Sequence, residues 1–338
     1  MKNGNIHIFL VFSLLVLSCS GPGKLKEITI EEGFSRHYQS RSPEEEVLRL
    51  HKDSVTSVAV IDDMLCLFDN HRKRTNSPTV RISEISNPNK YKEFIPCGVE
   101  AGQMAMPFLS SSEGKALFYD PLLKRIATLN PREAYDSDNY EPLFKSTQIM
   151  SQRVMPFGDR VLYINSFSFD GKEPRILFTG KDWMGKEREY EGTYLNVMSG
   201  NIFSDNRMER IGCAMKAFPT IEIMDRKGKP LIKITFPHEP WKILTLHHDG
   251  FDEYIMDGDF NDCFYAGCGG ESLFCVVYDD KDSQLVLVFD WEGNILDGFE
   301  LEGKADRISL SKDEKSLYIW EHSGEDDVLN RYSLKNNR

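Results

Sequence analysis

One pattern recurs along the chain and limits what it can fold into: a short apolar strand, an acidic residue at its end, a polar turn and a second strand. The instances are Leu65–Asp69, Ala116–Asp120, Ser166–Asp170, Ile221–Asp225, Leu285–Asp290 and a weaker Ser316–Glu321. Each is followed by a partner: Thr79–Ser83, Lys124–Leu129, Glu173–Phe178, Pro230–Phe236, Asn294–Leu301 and Val328–Leu334. The runs Asp225–Gly228 and Asp290–Gly293 put Asp first and Gly fourth, which a type I turn with a glycine bulge prefers. Successive Asp marks lie 51, 50, 55 and 65 residues apart, enough for four strands with their turns. Further strand candidates sit upstream at Val55–Ile61, Arg153–Phe157, Cys263–Ala266 and Arg307–Leu310. Helical periodicity is absent outside Pro43–Leu50. A set of ordinary hairpins in a sandwich is the alternative, but six evenly placed units predict an all-β fold, a six-bladed β-propeller.

The N-terminus carries an address. Lys2 precedes the apolar run Ile8–Leu17, too short for a permanent transmembrane helix of about 20 residues, so residues 1–18 read as a signal peptide. Its ending, Val16-Leu17-Ser18-Cys19, resembles the bacterial lipobox, which implies that Cys19 is acylated and becomes the mature N-terminus. Residues 19–44 then form the lipidated N-terminus and linker, opening with the flexible Ser20–Gly23, and residues 45–338 form the propeller. A strand near Val47–His51 is expected to pair into the last blade, which supplies only about three strands of its own, whereas residues 20–30 are expected to be dispensable for stability. Ser20 at the second mature position is not the aspartate resembling an inner-membrane retention signal, so the outer membrane is the expected destination, its periplasmic or surface side left open. With 41 Lys+Arg against 53 Asp+Glu the net charge is −12, which argues against a nucleic-acid partner and makes attachment depend on the lipid. Hydrophobic residues at 40% and charged ones at 28% exclude disorder, collagen and a polytopic membrane protein.

The combination of lipobox, leash and blades ending Leu67-Phe68-Asp69 and Val288-Phe289-Asp290 resembles the TolB-like β-propeller lipoproteins of Gram-negative envelopes. Their Gly-rich turn before a strand is similar to Gly98–Gln103 leading into Met106-Pro107-Phe108, in degraded form, and Leu310–Ile319 resembles their last hairpin without its usual Pro and Gly. The resemblance covers the chain from about residue 45 and implies fold and location, with hardly any statement about activity.

Chemistry is sparsely written. The serine-hydrolase elbow, the zincin motif, the P-loop and the dinucleotide fingerprint are absent, and no cofactor is expected. Cys66, Cys97, Cys213, Cys263, Cys268 and Cys275 read mostly as buried thiols, with a pairing of Cys263 with Cys268 or Cys275 to be checked. The densest polar segment holds His247, His248, Asp249, Asp252, Asp257, Asp259 and Asp262 and coincides with the 65-residue interval, so it is expected to be an enlarged binding loop. Its start is like a calcium loop, but Asp262 and Cys268 stand where Gly and Glu are needed, so no metal is assigned. On a strand, His247 and His248 would point to opposite sides. Trp183, Trp241, Trp291 and Trp320 are candidate sugar platforms, Trp291 especially because it lies in a turn, with Trp320 the better candidate for the core. The two readings are a non-catalytic propeller binding an envelope protein or glycan, and a metal-dependent lactonase- or lyase-like enzyme using Asp62, Asp159, Asp259 and Asp313.

Overall fold

The computed structural model describes residues 25–335 apart from 53–56, 70–75, 113, 148–153, 158–159, 170–173, 183–186, 192–199, 216–218, 238–241, 249–250, 258–261 and 281–282. Strands β1 (Lys26–Thr29) and β2 (Glu45–His51) flank a single 3-10 turn, Phe34–His37. A first sheet follows: β3 (Ser57–Ile61), β4 (Met64–Phe68), β5 (Pro78–Glu84) and β6 (Tyr91–Pro96). The second holds β7 (Phe108–Ser112), β8 (Lys115–Asp120), β9 (Arg125–Leu129) and β10 (Leu143–Ser146), with the helix α1 (Pro131–Asp136) between the last two. The third is β11 (Val154–Phe157), β12 (Arg160–Phe169), β13 (Pro174–Asp182) and β14 (Glu187–Glu191). The fourth is β15 (Gly200–Ser204), β16 (Arg210–Met215), β17 (Thr220–Asp225) and β18 (Pro230–Thr235). A hairpin, β19 (Lys242–His248) and β20 (Phe251–Asp257), precedes the fifth: β21 (Phe264–Gly269), β22 (Leu273–Asp280), β23 (Ser283–Asp290) and β24 (Ile295–Leu301). The last holds β25 (Lys304–Leu310), β26 (Ser316–Ser323) and β27 (Asp326–Ser333).

Neighbouring strands in each sheet are antiparallel and sequential, except that β1 joins β18 in parallel and that β2 completes the last sheet by pairing antiparallel with β27 from Glu45↔Arg331 to His51↔Asp326. Among the described residues the result is five four-stranded sheets, one five-stranded sheet and the separate two-stranded hairpin. Apolar faces of successive sheets pack on each other. Phe68 with Phe118 joins the first to the second, Phe203 with Phe274 the fourth to the fifth, and Val288 with Ile319 the fifth to the last. Val60 with Trp320 joins the last sheet back to the first. This is the all-β propeller arrangement that the repeat implies.

Turn chemistry works locally as read. Asp225 O accepts from Gly228 N–H at 2.9 Å and Asp290 O from Gly293 N–H at 3.0 Å, and both glycines take positive φ, 79° and 84°. Each Asp also accepts two backbone N–H groups with Oδ1, and the register slips by one residue beside each turn. The place of these hairpins within a sheet is not constant, however. They supply the second and third strands of the first three sheets and the last one, but the third and fourth strands of the fourth and fifth. That shift, and the extra hairpin β19–β20, produce the longer 55- and 65-residue intervals.

Three expectations are corrected. The linker is structured from Lys26 onward: β1 adds in parallel to β18, Lys26↔Ile232 through Thr29↔Thr235, and Ile28, Ile30, Phe34 and Tyr38 pack on the core of the fourth and fifth sheets. Residues 26–30 are therefore part of the folded body, and their removal is expected to lower its stability. The periodicity at Pro43–Leu50 belongs to a strand, because its apolar Val47, Leu48 and Leu50 find sheet neighbours around Tyr318 and Leu329, while the helix lies at Pro131–Asp136, capped by Asn130. Trp291 is 6% exposed, because its ring folds back from the turn against Phe203 and Phe274 and its Nε1–H donates to Gly270 O at 3.2 Å. It cannot offer a sugar platform. Trp320 is in the core as expected, and Trp183 and Trp241 lie outside the described residues.

Between β1 and β2, Arg41 is clamped to the fifth sheet. Its Nη1 and Nη2 each donate to a different oxygen of Asp297 at 2.9 Å, and its guanidinium lies 4.2 Å from the Phe299 ring centre. Burial raises the Asp297 pKa, but the Arg41 hydrogen bonds and charge and the N–H groups of Lys335 and Gly298 outweigh it, holding the carboxyl below the usual range. A folded pKa below the unfolded one adds stability that is complete above the unfolded value and is lost as the pH falls through the folded one. Arg41→Met is expected to lower unfolding free energy at pH 7 by about 3–5 kcal/mol, since it strands a buried carboxylate. The gap between wild type and variant should close on acidification, read by urea unfolding at neutral pH and below the carboxylate range.

Candidate functional site: the central cavity and its rim

The first strands of all six larger sheets surround one cavity of about 360 Å³. Its wall is built from Ser57–Asp62, Met106–Ser112, Val154–Met155, Asn201–Ser204, Ala266–Gly270 and Arg307–Lys312. These strands advance in step: Val60 N–H donates to Ser309 Oγ at 3.1 Å, and two or three residues later Asp62 pairs with Lys312 at 3.4 Å. The cavity thus has a near mouth, where the first strands begin, and a far mouth, where they turn into the second strands. At the far end Ser112 Oγ lies 3.3 Å from Ser204 Oγ, a contact between residues 92 apart in sequence. The wall is mixed, with hydroxyls and amides between Val, Ile, Leu and Phe side chains, and its charged members among the described residues are Asp62, Arg307 and Lys312.

The near mouth carries an organised rim. Asp120 is fully buried at the end of β8, and its Oδ2 accepts from the N–H groups of Ala105 at 2.6 Å and Met106 at 3.0 Å, while Oδ1 accepts from Leu123 N–H at 3.0 Å. One carboxylate therefore ties the loop entering β7 to the β8–β9 turn. Arg125 adds bonds to the carbonyls of Val99 (3.0 Å), Gln103 (2.9 Å) and Glu100. Gln103 is 6% exposed; its Nε2 donates to Asn76 Oδ1 at 2.6 Å and its Oε1 accepts from Glu100 N–H at 3.1 Å. Gly98 has φ 155°, and a Cβ there would come within 1.9 Å of that Oε1, which is the reason for glycine. On this framework Val99, Met106, Phe108 and Leu122 stand 46% to 68% exposed, and Met106 and Phe108 also line the cavity. Large apolar groups held outward by a fixed backbone are what a contact surface offers.

The described residues singled out from sequence take these positions. His247 and His248 end β19, and His247 is the cross-strand partner of Asp252, His248 of Phe251. Asp257 ends β20 opposite Lys242, and Asp262 is half-buried just before β21. Cys19, Asp249 and Asp259 lie outside the described residues. The expected loop is thus largely a hairpin. Of the four carboxylates that a metal-dependent enzyme would use, Asp62 lines the cavity but is paired with Lys312, and Asp313 accepts instead from Ser311 Oγ and Lys315 N–H in its own turn. Asp159 and Asp259 are outside the described residues, among which no cluster of three or more His, Cys, Asp or Glu side chains could hold a metal ion. None of the six described cysteines is in a disulfide. Sequence reasoning passed over the rim. Its only signal was the sequence Gly98–Phe108, which had carried a family resemblance without being assigned a role.

Neither a family model nor a curated protein matches the sequence. Solved structures match as folds. An exported protein of Bacteroides fragilis is 9% identical over 92% of this chain and 100% of its own, with a TM-score of 0.50. The WD40 repeats of RRP9 are 9% identical over 87% of this chain and 99% of theirs, with a TM-score of 0.51. At this identity the likeness carries the propeller fold alone. No helix among the described residues is long and apolar enough to cross a membrane.

Proposed function

We propose that this chain is a TolB-like envelope lipoprotein, anchored to the outer membrane through Cys19, whose propeller binds an envelope protein or ligand without catalysis. The observation that carries the reading is the near mouth of the central cavity, where Asp120 and Arg125 hold a fixed rim with Met106 and Phe108 exposed beside the opening. The likeness to an exported Bacteroides protein is in keeping with an envelope address. The metal-dependent enzyme is the weaker reading, because the described carboxylates that it needs are engaged in an ion pair and in a turn. The hairpin with His247, His248, Asp252 and Asp257, continuing through Asp259 to Asp262, is a second, acidic part of the binding surface.

The test uses the full chain as bait on detergent-solubilised envelope, in three forms: wild type, Met106→Asp with Phe108→Asp, and Asp257→Asn with Asp259→Asn and Asp262→Asn. A species retained by wild type and at least ten-fold depleted from the double variant, at an unchanged thermal midpoint, is expected. Identical profiles for wild type and double variant would remove the rim from the proposal, and an unchanged triple variant would remove the hairpin.

A further inference from the structure

One hairpin beside the cavity brings together a pair of thiols, of which one, Cys268, is in the cavity wall. In the register of β21 and β22, Cys268 stands directly opposite Cys275. The turn between them closes with Gly270 N–H donating to Leu273 O at 2.8 Å. Pairs alternate outward from such a turn, so Cys268–Cys275 falls on a hydrogen-bonded position, where Cα atoms lie about 5.5 Å apart. Disulfides span Cα separations of about 4.4–6.8 Å, which this spacing meets; their Cβ atoms lie about 3.5–4.5 Å apart, closer than the roughly 5 Å of directly opposite residues, so the two strands draw together slightly as the bond forms. Directly opposite residues share a face of the sheet. Cys268 packs against the core cluster that contains Cys275, and it also lines the cavity, half-buried, where a small oxidant can reach it.

We infer that Cys268 and Cys275 are a modification site: a thiol pair that a small disulfide-type oxidant converts into a cross-strand disulfide on the cavity wall. The Cys268 thiolate attacks the oxidant's S–S bond, forming a mixed disulfide and releasing one oxidant thiolate. Cys275, giving its proton to that thiolate, then attacks the Cys268 sulfur and expels the second. The second thiolate takes from water the proton that Cys268 released on ionising, so two protein thiols are oxidised, one disulfide is reduced to two thiols, and electrons and protons balance. The order follows access, because Cys275 is fully buried and only Cys268 meets the cavity. The remaining described thiols lack this arrangement. Burial pushes Cys66 and Cys263 up to about 12 and Cys213 higher still, and none of the three faces another cysteine across a strand pair. The inference is independent of what the cavity binds.

The full chain, reduced and then exposed to oxidised glutathione, is quenched in acid, denatured and alkylated for mass spectrometry. Wild type is expected to show two fewer alkylatable thiols than the reduced control, with Cys268 and Cys275 both protected and no glutathione retained. Cys275→Ser should stop at glutathione bound to Cys268, and Cys268→Ser should lose no thiols at all, while Cys213→Ala should behave as wild type. Full alkylation of oxidised wild type, retention of glutathione on Cys268 in wild type, or protection of a different pair would overturn the inference.

Discussion

Removing residues 45–51 is expected to abolish cooperative unfolding, or to lower the thermal midpoint by more than Arg41→Met does. The strand β2 is the only one of the last sheet that comes from the other end of the chain, and it pairs with β27 along its whole length. Without it β27 becomes an edge with unpaired N–H and C=O groups. The partly buried Val47, Leu48 and Leu50 would leave the cluster that joins the last sheet to the first, exposing Val58, Leu65, Tyr318 and Trp320 beneath them. Each such side chain contributes about 1–2 kcal/mol, against a total of about 5–15 kcal/mol for a domain. The loss thus consumes most of the margin. Removing residues 25–30 should cost less, because β1 is an added strand on a sheet that already has four of its own. Chemical unfolding of both truncations beside wild type checks this; equal midpoints for the two would show that β2 does not close the ring.

The second large effect concerns location. Exchanging residues 1–18 for a cleavable secretory signal peptide together with Cys19→Ala is expected to move nearly all of the protein from the membrane pellet to the soluble fraction and to end incorporation of labelled fatty acid. Two acyl chains hold a protein at a bilayer essentially stably, and a net charge of −12 offers anionic head groups nothing in their place. A protein that still sedimented in detergent-free buffer would owe its attachment to something other than the lipid.

Much of the fold was legible because strand patterning and turn chemistry are local. The first strands at Ser57–Ile61, Val154–Phe157 and Phe264–Gly269 lie where apolar runs upstream of the hairpins pointed. What escaped depends on distant partners. The strand Lys26–Thr29 has charge on one residue in two and joins a sheet only because β18 offers it an edge. Trp291 occupies a turn between Asp290 and Glu292, and nothing local says that its ring returns to Phe274. The cavity wall is invisible in sequence because its polar members, Ser57, Ser110, Asn201 and Ser309 among them, are unremarkable singly and meet only when strands some 50 residues apart come round one axis. The candidate loop and the rim carry opposite signals: acidic density points to Asp252 and Asp257, whereas the rim presents Val99, Met106, Phe108 and Leu122, which have no such density to mark them.

The docking of β1 has a consequence for how the molecule would sit on a membrane. With lipid on Cys19 and the chain fixed from Lys26 onward, seven residue steps separate the anchor from the body, a reach of at most roughly 25 Å. That is shorter than the width of a propeller, so the body could not tumble freely about its tether. The edge bearing β18 would stay turned to the bilayer, and the opposite flank would always point away from it. A partner would then meet the protein from a restricted set of directions, selected by the length of a leash instead of by any contact with lipid.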